Sequence, residues 1–204
     1  MLLELDNMEK SDVYHALTQV VVPRPVAWVL SSNQQGALNL APFSYFSAVC
    51  SDPPLIMLSI GSKPDGSPKD TYANIADTEK FVIHIEGSDL ATKVTHSSVT
   101  LPRGESEIEL CDLETVEVED FGLPRILGPK IAMSCSLYQQ QEIGNAPQRL
   151  IFGRIEKIWL DDAVVEMDQQ GRPKIDAALV DPLARLGGSD YQTFGDVVTV
   201  PRPA

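Results

Sequence analysis

The sequence predicts a mainly β protein with short helices: a closed or nearly closed antiparallel barrel that carries helical insertions. Three observations lead there. Apolar runs of strand length recur along the 204 residues, the segments between them are broken by Gly and Pro, and helical periodicity is confined to brief stretches. A doubly wound sheet needs a helix after nearly every strand, and there are too few. One domain over residues 1–204 is expected, because no repeat, low-complexity tract or linker interrupts the chain.

Residues 12–22 (DVYHALTQVVV) open as a short helix and run into Pro23 and Pro25, which enforce extended backbone. Val26–Ser32 is rich in β-formers. With the turn NQQG, ending at Gly36, and the run Ala37–Leu40, it reads as a hairpin. The alternation then breaks at Pro42, read as a strand end. Leu55–Ile60 is a continuous apolar run, the pattern of a strand buried on both faces. Lys80–Glu86 sets Phe81, Ile83 and Ile85 against Val82, His84 and Glu86, a strand with one wetter face on which His84 is a half-buried strand residue. Between these two strands, Tyr72, Ile75 and Ala76 have the spacing of one helix face. Asp89–Val99 predicts a second short helix. Residues 103–129, acidic with Gly and Pro at intervals, predict a helix plus a long connection. Ile131–Ile143 and Arg149–Leu160 are two long strands joined by GNAPQ, and residues 183–200 mix a loop with a last extended segment.

Charge excludes some functions. A formal net charge of −13 opposes nucleic acid and anionic membrane surfaces, which call for clustered Lys and Arg. No apolar run reaches membrane-spanning length, and MLLELDNMEKSD lacks the basic region and cleavage site of an export signal, so a cytoplasmic protein is expected. Cys50, Cys111 and Cys135 form no CxxC pair and have no His at metal-ligand spacing; buried structural thiols are expected. His15, His84 and His96 are scattered, and no metal site is expected.

Against this acidic background, GSKPDGSPKDTYANI (61–75) places two lysines at a turn ahead of a helix. Ser67 reads as the N-cap, Pro68 as the first helical residue and Asp70 as the third, a variant of the capping box. A helix start alone accounts for that much. Lysines in a first turn oppose the helix dipole, however, so helix stability does not select Lys69. Lys63, Lys69, Ser67, Thr71 and the free amides of a helix start together make a cradle for one phosphate group, with Gly61 and Gly66 allowing close approach. Neither a P-loop nor a GxGxxG pattern is present. In NLAPFSYFSAVCSDPP (39–54), Phe43, Tyr45 and Phe46 cluster with Ser44 and Ser47, which suits either a barrel core or a slot for a planar ligand.

PRPVAWV, GALNLAPFSYFSAVCSDPPLIMLSIG, DGSPKDTYANI and LARLGGSDY, in this order, resemble the flavin reductase-like, FMN-binding split-barrel proteins, which include flavoredoxin and the DIM6/NTAB-type flavoproteins. The match runs from about residue 12 to 87, resumes near the C-terminus and is slight over 100–130. The resemblance implies a homodimer of six-stranded antiparallel Greek-key barrels with FMN at or near the subunit interface. It places Ser67, Lys69, Asp70 and Thr71 around the FMN phosphate. Asn39, Leu40, Ala41, Pro42, Phe43 and Ser44 would border the isoalloxazine and ribityl chain. Arg24 is a further candidate, and Arg185, Gly187, Gly188 and Tyr191 match an RLGGxxY motif expected near the site or the dimer contact.

The function so implied is an NAD(P)H-dependent flavin oxidoreductase, with NADH or NADPH as donor. No nicotinamide motif is recognisable, so an FMN-binding electron carrier reduced by a protein partner stands as the alternative. No catalytic side chain is expected, since the flavin carries the chemistry.

Overall fold

The structure, a computed structural model, describes residues 1–145, 147–201 and 203. Helix α1 (Lys10–Val20) precedes a seven-stranded antiparallel sheet. Its strands are β1 (Ala27–Ser32), β2 (Leu38–Phe43), β3 (Phe46–Ser51), β4 (Pro54–Ile60), β5 (Lys80–Ile85), β6 (Ile131–Ile143) and β7 (Gln148–Leu160), in the hydrogen-bonded order β2-β1-β5-β6-β7-β4-β3. β2 and β3 stand at opposite ends of that order, yet only Ser44 and Tyr45 separate them in the chain. The sheet has therefore curled until its ends meet, and the β3–β4 ladder continues into the link, where Ser59 N–H donates to Tyr45 O at 2.9 Å. Taking β2 and β3 as one strand bent at those residues leaves six staves. β5, β1, β2/β3 and β4 then lie in the 4-1-2-3 order of a Greek key. This is a split barrel.

Along β1 and β5 both faces of the barrel wall are dry. Inside, Val29, Phe43, Leu58, Phe81, Ile83 and Ile151 pack together, and α2 (Asp70–Thr78), carried on the β4–β5 crossover, adds Ile75. Each such side chain, fully buried, stabilises the fold by roughly 1.5–3 kcal/mol. Gly153 of β7 has to lack a side chain: a Cβ there would lie 2.4 Å from Phe81 Cζ. Outside, Trp28, Leu30, Leu40 and Val82 are covered by Val94 of α3 (Ala91–His96), by Ile108 of α4 (Glu107–Leu110) and by Phe121 and Ile126 of the β5–β6 insertion.

That outer layer corrects the expected wetter face of β5. Val82, His84 and Glu86 are all buried beneath it. His84 is saturated: Nδ1 donates to Trp28 O and Nε2 accepts from Ile126 N–H, both at 2.9 Å, and burial pushes its pKa down to about 4. Pro42 does not end a strand either. Counting from the Asn33 N–H to Ala37 O bond that closes the hairpin, position 42 falls at a non-hydrogen-bonded pair opposite Trp28. The N–H that proline lacks would have pointed away from β1, toward the open edge, where proline is tolerated.

The exposed strand β3 and the hairpin pairing Val165–Met167 with Pro173–Ile175 were not expected from the sequence. The link GNAPQ includes Ala146, which lies outside the described residues. Over 193–201 no strand follows the Tyr191–Gln192 bridge. Of the three free cysteines, Cys111 and Cys135 are buried but Cys50 is exposed. Among the described residues, no helix is long and apolar enough to cross a membrane.

Candidate functional site

A cleft follows the unpaired edge of β2. Its first part, about 380 Å³, is walled by Asn39, Ala41 and Pro42 on one side and by Lys63, Lys69 and Thr71 on the other. A second hollow of about 210 Å³ continues past Pro42 and Ser98 to Phe43, Ser44, Arg185 and Tyr191. Beyond Ser44 a third, about 430 Å³, runs under Leu17, Val21, Tyr45, Phe46 and Met57.

The loop at the head of the cleft is a tight turn. Lys63 N–H donates to Ser67 O and Gly66 N–H to Lys63 O, with Gly66 at φ +84, a conformation glycine tolerates. Ser67 is not the helix cap. The Asp65 carboxylate accepts both the Ser67 N–H (2.9 Å) and its hydroxyl (2.6 Å), a local Asx turn that outcompetes capping. The N-cap is Lys69, two residues later, and no side chain caps the helix. Since the first backbone bond is Ala73 N–H to Lys69 O, the N–H groups of Asp70, Thr71 and Tyr72 have no intrahelical acceptor.

The two lysines differ. Lys63 Nζ lies 3.0 Å from both oxygens of Asp70. Among the described residues, Lys69 Nζ has no carboxylate within 4.0 Å. It stands 5.7 Å from the centre of the Phe43 ring, and partial desolvation lowers its pKa from the ordinary lysine value. An ammonium group beside uncapped helix amides is chemically suited to an anion.

The opposite wall is built on Glu107, which is 4% exposed. Its two oxygens lie 3.0 and 2.9 Å from Asn39 Nδ2, which donates to them, and one of them also accepts the backbone N–H of Leu40 at 2.9 Å. Asn39 Oδ1 in turn accepts from Thr71 Oγ1 at 2.8 Å. Burial raises the pKa of Glu107, against the pull of those donors. The buried face of α2 accordingly turns toward Thr71, Asn74 and Ile75, with Tyr72 and Ala76 only half-buried. The polar pair is satisfied by Asn39 and Ser31.

A model of the flavin reductase like domain matches residues 20–176. The chain belongs to the flavin reductase-like family. Nitrilotriacetate monooxygenase component B from Bacillus cereus superposes at TM-score 0.89, with 32% identity over 98% of both chains. The 2-nitrobenzoate 2-nitroreductase of Pseudomonas fluorescens superposes at TM-score 0.88, with 26% identity over 100% of this chain and 96% of its own. A split-barrel protein from Shewanella frigidimarina NCIMB 400, at 21% identity and TM-score 0.86 over all of both chains, shares the fold.

On this flavin reductase-like barrel, the residues singled out in the sequence fall into four groups. Asn39, Ala41, Pro42, Lys63, Lys69, Asp70 and Thr71 line the first part of the cleft, and Phe43, Ser44, Arg185 and Tyr191 the second. Arg185 stacks over Tyr191 at 4.5 Å and donates to Gly188 O. Leu40 and Ser67 do not line it: Leu40 points into the outer core, and Ser67 is held by Asp65.

Arg24 is a staple. It donates to Thr18 O (2.8 Å), Val21 O (2.7 Å), Leu186 O (2.9 Å) and Ser44 Oγ (3.3 Å), tying α1 and the C-terminal segment to the barrel. The sequence reading missed Glu107 and the wall Ser98–Leu101. The hydroxyl-rich run HSSVT was the available signal for that wall; Glu107 had none, because its partners lie 67 and 68 residues away.

Proposed function

We propose that this protein is an NAD(P)H-dependent flavin oxidoreductase that binds FMN along the β2 edge, receives hydride from NADH or NADPH, and passes electrons onward. The observation that carries the proposal is the Lys69 ammonium, without a carboxylate partner among the described residues, beside the uncapped start of α2. A phosphate dianion satisfies both. The cleft fits the rest of the group: its volume is in the range of small-ligand sites, and it leads from a cationic head past Pro42 to the Phe43 face. Family membership and the superposition on component B support flavin chemistry.

Bound FMN would supply the hydride-accepting centre, which a nicotinamide has to approach to roughly 3–3.5 Å. The chain's own residues bind and orient. Lys69 and the amides of Asp70, Thr71 and Tyr72 hold the phosphate end. Pro42 and Phe43 offer apolar surface to the ring, and Val99 and Leu101 limit water on the facing wall. Ser44 Oγ accepts from Arg24 Nε, so its own proton is free to donate to a polar edge. No side-chain acid or base is needed for hydride delivery.

We assign the groove under Leu17, Val21, Tyr45, Phe46 and Met57 to contact with a second copy of the chain. Val20 and Val21 beside it are 69% and 56% exposed, an apolar patch that a homodimer would cover. Anaerobic addition of NADH or NADPH to FMN-loaded protein tests the activity. Prompt bleaching of the visible flavin band is expected; bleaching only with dithionite or a protein donor would make it a carrier instead.

A further inference from the structure

We propose that Glu107 is a positioning residue for the flavin phosphate, by which the β5–β6 insertion sets the geometry of the cofactor cleft. The inference rests on the flavin reading above and extends it to a residue outside the motifs that suggested it.

Two N–H donor groups converge on one buried carboxylate: the Asn39 side-chain amide, whose Nδ2 lies 3.0 and 2.9 Å from its two oxygens, and the backbone N–H of Leu40. Leu40 sits at a non-hydrogen-bonded position of the β1–β2 ladder, so its N–H points out from the open edge. Without Glu107 that group and the Asn39 amide would lose their protein acceptor. The carboxylate also fixes which way the amide faces. Because Nδ2 is turned to Glu107, Oδ1 is turned to Thr71, the second residue of α2, at 2.8 Å. The start of α2, with its unpaired amides, is thereby tied to the strand whose Pro42 and Phe43 form the cleft wall.

α4 is firmly seated for this task. Ser106 Oγ accepts from Ile108 N–H at 3.3 Å, and Ile108 is buried in the outer core while its neighbour Glu107 faces the cleft. Asp70, whose charge acts on Glu107, is itself paired with Lys63. Glu107 thus acts through Asn39 and Thr71 and not as a ligand itself, since an anion gains nothing from a carboxylate.

The test is FMN titration of flavin-free protein by fluorescence, with thermal melts as the control for folding, on wild type, Glu107→Ala, Glu107→Gln and Asn39→Ala. Glu107→Ala is expected to weaken FMN at least tenfold while the protein stays folded. Glu107→Gln should stay within about threefold: its oxygen still accepts from Leu40, its amide donates to Asn39 Oδ1 once the Asn39 amide turns over, and the turned Nδ2 then donates to Thr71 Oγ1, so the tie to α2 survives. In an Asn39→Ala background, the Glu107→Ala loss should shrink to less than threefold. If Glu107→Ala does not fold, Glu107→Asp, whose shorter arm withdraws from both partners, should show the same tenfold loss. Wild-type affinity in the folded Ala or Asp variant overturns the inference, as do independent, multiplying losses from positions 39 and 107. Wild-type protein that takes up no FMN would instead sink the flavin reading itself, and this inference with it.

Discussion

Arg24 and Lys69 are both cations beside prolines, at opposite ends of the same cleft, and the protein treats them in opposite ways. The Arg24 guanidinium is consumed by three carbonyls and the Ser44 hydroxyl, and the residue is buried. Lys69 is left beside an aromatic ring and open helix amides, with no carboxylate among the described residues. A cation whose donors are spent inside the protein holds the fold together; one that is left over is available to a ligand. The same contrast recurs two residues apart on and just past β5, where both nitrogens of His84 are paired and neither oxygen of Glu86 has a partner among the described residues.

Substitutions at these four positions can break the contrast. Arg24→Ala is expected to be the most damaging to stability, by about 3 kcal/mol or more in urea unfolding, because three carbonyls lose a charged donor. A loss under about 1 kcal/mol would mean the staple is ornamental.

His84 comes next. Its folded pKa of about 4 lies below the ordinary 6.5, so its contribution is complete above pH 6.5 and is lost as the pH falls toward 4, when the unfolded chain takes up the proton first. Stability should drop by up to about 3 kcal/mol over that window. Urea unfolding at several pH values should show the slope in wild type and a flatter profile in His84→Gln.

Lys69→Ala should leave stability within about 0.5 kcal/mol. It should cost more than tenfold in FMN affinity, upwards of about 1.4 kcal/mol, and exceed the effect of Lys63→Ala. The smallest effect is at Glu86. Burial raises its pKa well above the usual value, so the unfolded chain ionises more readily and the fold is penalised at neutral pH, a penalty that falls away as the pH drops toward the unfolded value. Glu86→Met should therefore stabilise by about 1 kcal/mol at pH 7 in a thermal melt.

What the sequence made legible follows the range of the interactions. β1, β4, β5 and the long pair β6 and β7 were readable from apolar runs cut by Gly and Pro, and the hairpin from Gly36, which adopts φ +86. The helix start was displaced by two residues because Asp65 captured Ser67, a contest between local hydrogen bonds that composition does not decide. Pro42 misled because edge position is a property of the closed sheet. The dry outer face of β5 depends on Phe121 and Ile126, some forty residues further along the chain. The proposed phosphate cradle could be read from the sequence because Lys63, Lys69 and Thr71 lie in one short segment; Glu107 could not, because its partners are far along the chain.

The most direct measurement compares FMN with riboflavin, which differs only by the phosphate, in wild-type and Lys69→Ala protein. Wild type should prefer FMN by about a hundredfold. The variant should lose at least tenfold of that preference, with riboflavin affinity unchanged within twofold. An undiminished FMN preference in Lys69→Ala would mean that the phosphate is held somewhere other than the start of α2.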